Sequence, residues 1–89
     1  MSAGFPIVVL ASGSGTNLQA ILDRLHGRDV DVVGVASDKP NARALVRARD
    51  AGIDTAVFPA ADYGTREERD LSLATWIEER EAELVVLAG

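Results

Sequence analysis

The sequence has 89 residues, of which 47% are hydrophobic and 26% charged, with no cysteine and one histidine. That is the composition of a globular domain, and it excludes a disulfide framework, a thiolate metal site and a structural zinc centre. Nine basic against fourteen acidic residues leave a net charge of −5, which argues against a general nucleic-acid binder, whose basic face must displace counterions from phosphates. An aromatic content of 4% likewise leaves no stacking platform for single strands. No apolar run approaches the roughly 20 residues of a membrane span, and Met1-Ser2-Ala3-Gly4-Phe5-Pro6 does not read as a signal peptide. The expectation is a cytoplasmic domain that binds no metal, no nucleic acid and no membrane.

Four short apolar runs punctuate the chain. Ile7-Val8-Val9-Leu10-Ala11 is continuous and β-branched, as a strand buried on both faces would be. After it Leu18, Ile21, Leu22 and Leu25 fall at i, i+3, i+4 and i+7, one face of a helix that stops near Gly27. Val30 to Ala36 is the second strand. Pro40 then precedes a helix whose shared face is read as Ala42, Leu45, Val46 and Arg49, ending at Gly52. Asp54 to Phe58 is a weaker third strand, stopped by Pro59. Thr65-Arg66-Glu67-Glu68 is a capping box, with Thr65 as N-cap and Glu68 at N3. Leu73, Trp76, Ile77 and Arg80 form the inner stripe of the helix that follows. Leu84 to Ala88 is the fourth strand.

The order βαβαβαβ predicts an α/β domain, a Rossmann-like parallel sheet with flanking helices and strand order 3-2-1-4. The unbroken apolar character of the first strand puts it in the middle. A fully apolar last strand with an open edge is a pairing hazard. Residues 1–89 therefore read as the N-terminal half of a larger domain truncated after the fourth strand. Leu84–Ala88 should be covered by the remainder of the protein or by a second copy.

The chemistry concentrates in Ala11-Ser12-Gly13-Ser14-Gly15-Thr16-Asn17-Leu18-Gln19, between the first strand and the first helix. Free N–H groups and the dipole at a helix start favour an anion. Gly13 and Gly15 allow a tight turn and a close approach of ligand to backbone. The pattern fits a phosphate-binding loop; a well-capped helix behind a flexible loop is the competing reading. If φ at Gly15 were negative, Gly15→Val would weaken phosphate binding and spare folding. Two familiar phosphate loops do not match. No lysine follows Gly15 as a Walker A loop requires, and Gly13-Ser14-Gly15 begins a dinucleotide fingerprint whose sixth position is Leu18. Asp38, at the end of the second strand, keeps a nicotinamide-cofactor site open as a lesser alternative, although a cap on the second helix from Ser37 or Asp38 is the favoured reading. His26, beside Gly27 near the end of the first helix, is expected to be a surface histidine. The charged clusters Arg66 to Asp70 and Glu78 to Glu81 are expected to be solvated helix faces.

Residues 7–20, Ile-Val-Val-Leu-Ala-Ser-Gly-Ser-Gly-Thr-Asn-Leu-Gln-Ala, resemble the opening of the glycinamide ribonucleotide formyltransferases, with their Ser-Gly-x-Gly-Ser/Thr-Asn loop. The resemblance continues through Ala36-Ser37-Asp38-Lys39-Pro40-Asn41-Ala42, Ala48 to Ile53, Thr65-Arg66-Glu67 and Leu84 to Gly89. It covers nearly all of this chain and about the first half of the family's length. It implies transfer of a formyl group from 10-formyltetrahydrofolate to glycinamide ribonucleotide in purine (IMP) biosynthesis. It further implies that Gly15, Thr16 and Asn17 hold the substrate phosphate and that Arg66 lies near the folate. The family's catalytic Asn, His and Asp follow the fourth strand, so no catalytic residue is assigned within the 89, and alone they are expected to be inactive. The alternatives are a stand-alone, non-enzymatic phosphate- or nucleotide-binding module, or a related formyltransferase or formyltetrahydrofolate hydrolase.

Overall fold

The computed structural model describes residues 4–88. Met1–Ala3, from the segment read as no signal peptide, and Gly89, the end of the last motif, lie outside the described residues. Four strands, β1 (Phe5–Leu10), β2 (Val30–Ser37), β3 (Thr55–Val57) and β4 (Leu84–Leu87), alternate with three helices, α1 (Thr16–Arg24), α2 (Arg43–Asp50) and α3 (Arg66–Glu79). A short 3₁₀ turn, Ala60–Asp62, precedes α3. All strand pairs are parallel and the order is β3-β2-β1-β4, as the alternation of apolar runs and amphipathic segments predicts. No described helix is long and apolar enough to cross a membrane.

Constant crossover handedness explains which helix covers which face. β1 to β2 and β2 to β3 step in one direction, so α1 and α2 share a face; the step from β3 back past β1 to β4 reverses and sends α3 to the other. The main core lies on the α1–α2 side. There Ile7, Val9 and Ala11 of the β1 segment meet Val32 and Val35 of β2, Leu18 of α1, and Ala44, Leu45 and Ala48 of α2. The inward face of α2 is thus Ala44, Leu45 and Ala48, whereas Val46 is half exposed and Arg49 is exposed. The face expected for α2 is rotated because small alanines, rather than Val46, allow the helix to approach the sheet closely. Neither Ser37 nor Asp38 caps α2: its N-cap is Ala42, without a side-chain cap. The Ser37 hydroxyl instead accepts from the Lys39 N–H at 3.1 Å, a local turn that ends β2.

On the other face α3 is held by shape. Thr65 caps it, its hydroxyl accepting from the Glu68 N–H at 3.2 Å, while the Glu68 carboxylate reaches back to the Gly64 N–H, one residue beyond the usual capping-box partner. Leu73, Trp76, Ile77 and Arg80 point inward but remain only half-buried. Gly34 of β2 is the seat for Trp76: a Cβ there would lie 2.6 Å from the indole Cη2. Phe58 meets the indole edge-on at 6.0 Å, and Arg80 lies over it at 5.5 Å while donating to Asp54 at 2.8 Å.

His26 departs from the surface position expected of it. The β1–β2 register shifts between Ile7 and Val8, so that Val33 has no partner opposite it. His26 is half-buried beside this irregularity, and its Nδ1 accepts the Val32 N–H at 3.0 Å. It completes the backbone bonding of a bulged strand near the amino-terminal edge of the sheet, away from the loop after β1.

Gly34→Ala should push Trp76 outward and destabilise the fold by about 1–3 kcal/mol. The midpoint of a urea melt, compared with that of the parent, measures it.

Candidate functional site

Two features meet at the carboxyl edge of the sheet. The first is the loop 11–15. Gly15 is the N-cap of α1 with φ +81°, in the left-handed region, and no side chain caps the helix. The Gly15 carbonyl accepts from the Gln19 N–H at 2.8 Å. By helix geometry the N–H groups of Thr16, Asn17 and Leu18 precede the first intrahelical bond and are left as donors. The first turn of α1 contains no acidic residue, and Thr16 and Asn17 are exposed while Leu18 is fully buried. The loop is therefore built to present backbone donors at the positive end of a helix dipole. The competing reading of a well-capped helix does not fit an N-cap glycine that has no side-chain oxygen.

Gly15 is required for two reasons. Its φ is one that side chains rarely adopt, and a Cβ would lie 2.7 Å from the Ala44 Cα and 2.9 Å from the Ala44 Cβ. The condition under which Gly15→Val would spare folding, a negative φ, is therefore not met: φ is positive, and the loop sits directly on α2. Arg47, the next inward-facing turn of α2, ties the loop down. Its Nε donates to the Ser14 carbonyl at 2.8 Å and its Nη1 to the Gln19 Oε1 at 3.2 Å. Arg47 was missed in the sequence because an arginine three residues after a buried alanine looks like an ordinary solvated helix position.

The second feature is a cleft of about 340 Å3 beyond the ends of β1, β2 and β4. It lies where strand order reverses between β2-β1 and β1-β4, the usual ligand position in open parallel sheets. Leu10, Phe58, Leu73 and Leu87 give it apolar walls; Ser12, Ser37, Asp38, Arg69 and Asp70 give it polar groups. Asp38 thus reaches the cleft rim instead of capping a helix. Leu18, where a dinucleotide fingerprint needs its third glycine, is packed in the core, so nothing there lets a helix approach a dinucleotide as closely as that glycine does. Arg66 lies outside the cleft: its side chain is 81% exposed, 4.0 Å from Asp70, beside a separate groove with Tyr63 and Thr65. Arg69, half-buried, is the cation that lines the cleft. The signal for it was available, since Arg69 stands four residues before Leu73 and extends the inner stripe of α3 by one turn. Of the two charged clusters expected to be solvated helix faces, Arg66, Glu67, Glu68, Asp70, Glu78, Glu79 and Glu81 are exposed, whereas Arg69 and Arg80 turn inward and are half-buried. Among the described residues no group of three or more His, Asp or Glu is placed to hold a metal ion.

A parallel sheet with a glycine loop after its central first strand, and a cleft at its switch point, defines a Rossmann-like α/β domain. Comparison with known proteins narrows this class. Residues 6–89 match the formyl transferase family model, and the chain belongs to that family. It is 40% identical over 85 residues to the phosphoribosylglycinamide formyltransferase of Haemophilus influenzae, covering 93% of this chain and 40% of that protein. It is 44% identical over 85 residues to the Escherichia coli enzyme of the same name, with the same coverage. The structure of phosphoribosylglycinamide formyltransferase from Coxiella burnetii superimposes with a TM-score of 0.92 at 38% identity, over 97% of this chain and 41% of that one. Glycinamide ribonucleotide transformylase 1 from Symbiobacterium toebii gives 0.89 at 43% identity, over 100% and 43%. The chain spans about two fifths of the length of these relatives.

Gly15→Ala should cost about 2–4 kcal/mol, the left-handed penalty plus overpacking against Ala44. Chemical denaturation measures it, and a variant as stable as the parent would contradict the loop geometry described.

Proposed function

We propose that these residues form the ribonucleotide-binding half of a cytoplasmic phosphoribosylglycinamide formyltransferase, the function carried by its relatives' names. The observation that carries this reading is the uncapped start of α1 at Gly15, with free N–H groups at the sheet's carboxyl edge and no acid in its first turn. In the proposed complex the phosphate of glycinamide ribonucleotide accepts from the N–H groups of Gly15, Thr16 and Asn17. The loop thereby anchors one end of the substrate and directs its glycine amine toward the cleft, which turns the attack into an oriented, near-unimolecular event. A negative net charge is no obstacle, because the donors are backbone groups and the helix dipole is local.

The cosubstrate is proposed to be 10-formyltetrahydrofolate, which supplies the formyl carbon. The cleft's chemistry suits such a molecule: apolar walls from Leu10, Phe58 and Leu73 for a flat ring system, and Arg69 for an anionic tail. Arg66, exposed on the first turn of α3, is proposed to lie on the folate side from its match to the family motif. Proton transfer is assigned to the Asn, His and Asp that follow the fourth strand in the family. The exposed edge strand β4, where Leu84 is 52% and Leu87 78% exposed, is proposed to be covered by the remainder of the enzyme, with a second copy as the other candidate.

In the intact protein, glycinamide ribonucleotide should bind at least about 100-fold more tightly than glycinamide riboside, which lacks the phosphate. Calorimetry on the pair decides it; equal affinities would remove the phosphate role. The 89-residue chain by itself should consume no 10-formyltetrahydrofolate above a buffer control.

A further inference from the structure

We infer that Arg47 is a positioning residue for the anion loop, setting the affinity for the phosphate end of the substrate without touching it. The inference rests on the phosphate-loop reading and deepens it. The loop contains Gly13 and Gly15 within three residues, so by itself it would sample many conformations and lose much entropy on binding. Among its carbonyls, the Ser14 oxygen is the one whose orientation matters most. It immediately precedes Gly15, and turned toward an anion it would oppose the very N–H groups that attract one.

Arg47 prevents this. Its Nε holds the Ser14 carbonyl at 2.8 Å on the α2 side of the loop. Its Nη1 bonds the Gln19 amide oxygen at 3.2 Å, and the Gln19 Nε2 donates in turn to Asp23 at 2.9 Å. The guanidinium is thus fixed at two points, one on the loop and one a turn into α1. Its stem packs where a Gly15 Cβ would lie, 3.0 Å from Cδ. One side chain therefore couples loop, α1 and α2, and brings a positive charge to the back of the loop, where it reinforces the helix dipole. A lysine could reach one of the two acceptors but not both in this planar geometry.

The test uses the intact protein and two probes, glycinamide ribonucleotide and inorganic phosphate. Arg47→Met keeps the stem and removes the donors. Both dissociation constants should rise about tenfold, the scale of a charged hydrogen bond. The ribonucleotide KM should rise with them, while kcat and the KM for the folate cosubstrate stay within twofold. Arg47→Lys should recover part of the loss. Unchanged phosphate affinity in Arg47→Met, an equal loss in kcat and both KM values, or Arg47→Lys no better than Arg47→Met would each overturn the inference. Should Arg47→Met fail to fold, Gln19→Leu, which removes the second anchor, should weaken both probes about threefold, and no change there would overturn it as well. If the parent protein binds neither probe, the phosphate-loop reading itself has failed; parental binding with an indifferent Arg47→Met refutes Arg47 alone.

Discussion

The close seating of Gly15 on Ala44 is the contact from which the rest of the site follows. A left-handed residue with no side chain lets the backbone after β1 turn back and start α1 while lying directly on α2. That seating fixes where the first-turn N–H groups of α1 point, and it brings the loop within reach of Arg47. The same small residue at position 44, together with Ala48, lets α2 pack against β2 without a gap. Loop geometry and helix packing are thus one constraint seen from two sides: enlarging either residue would separate the layers that hold the other.

The position of the cleft follows from topology and not from any single residue. Because β4 returns to the far side of β1, the loops after β1 and β3 leave the sheet on opposite sides of the reversal, and a gap opens between them. Its walls are the ends of strands, which are rigid. Its polar groups come from the loop after β1, the end of β2 and the turn after it, and the first turns of α3, so the residues able to contact a ligand are few and spread over the chain. This arrangement supports a family relationship spread along the whole chain, from the β1 loop to β4.

The two faces of the sheet are unequally stabilised. The α1–α2 side contains fully buried Leu18, Leu45, Val9 and Val35. The α3 side depends on the Trp76–Gly34 fit, one edge-to-face aromatic pair and a partly exposed ion pair of Arg80 with Asp54. An ion pair at that exposure contributes little, so the attachment of α3 is mainly apolar, from Trp76 together with the half-buried Leu73 and Ile77. α3 contains no fully buried residue and β4 is mostly exposed. The cleft therefore lies between the firmly packed face that supports the anion loop and a more lightly held helix that brings Arg69.

Much of this was legible in the linear order of residues. Strand runs of β-branched residues separated by amphipathic segments determined the α/β class. The reversal needed to keep the first strand central determined the sheet order, and the glycine loop marked the binding edge. Those signals are local and periodic, so they survive without coordinates. The rest was decided by tertiary structure, because it depends on which side chain faces which neighbour across the chain. The helix face chosen by α2 turned on how closely alanine lets it approach a strand. The positive φ at Gly15 and its seating on α2 are set by how the folded chain turns there. His26 found its role only because the turn after α1 runs alongside the start of β2, ahead of the first residue that β3 pairs, and offers an acceptor to the Val32 N–H. Arg47 and Ser14 are 33 residues apart in sequence, and only packing of α2 against the start of α1 brings the guanidinium to the carbonyl it holds.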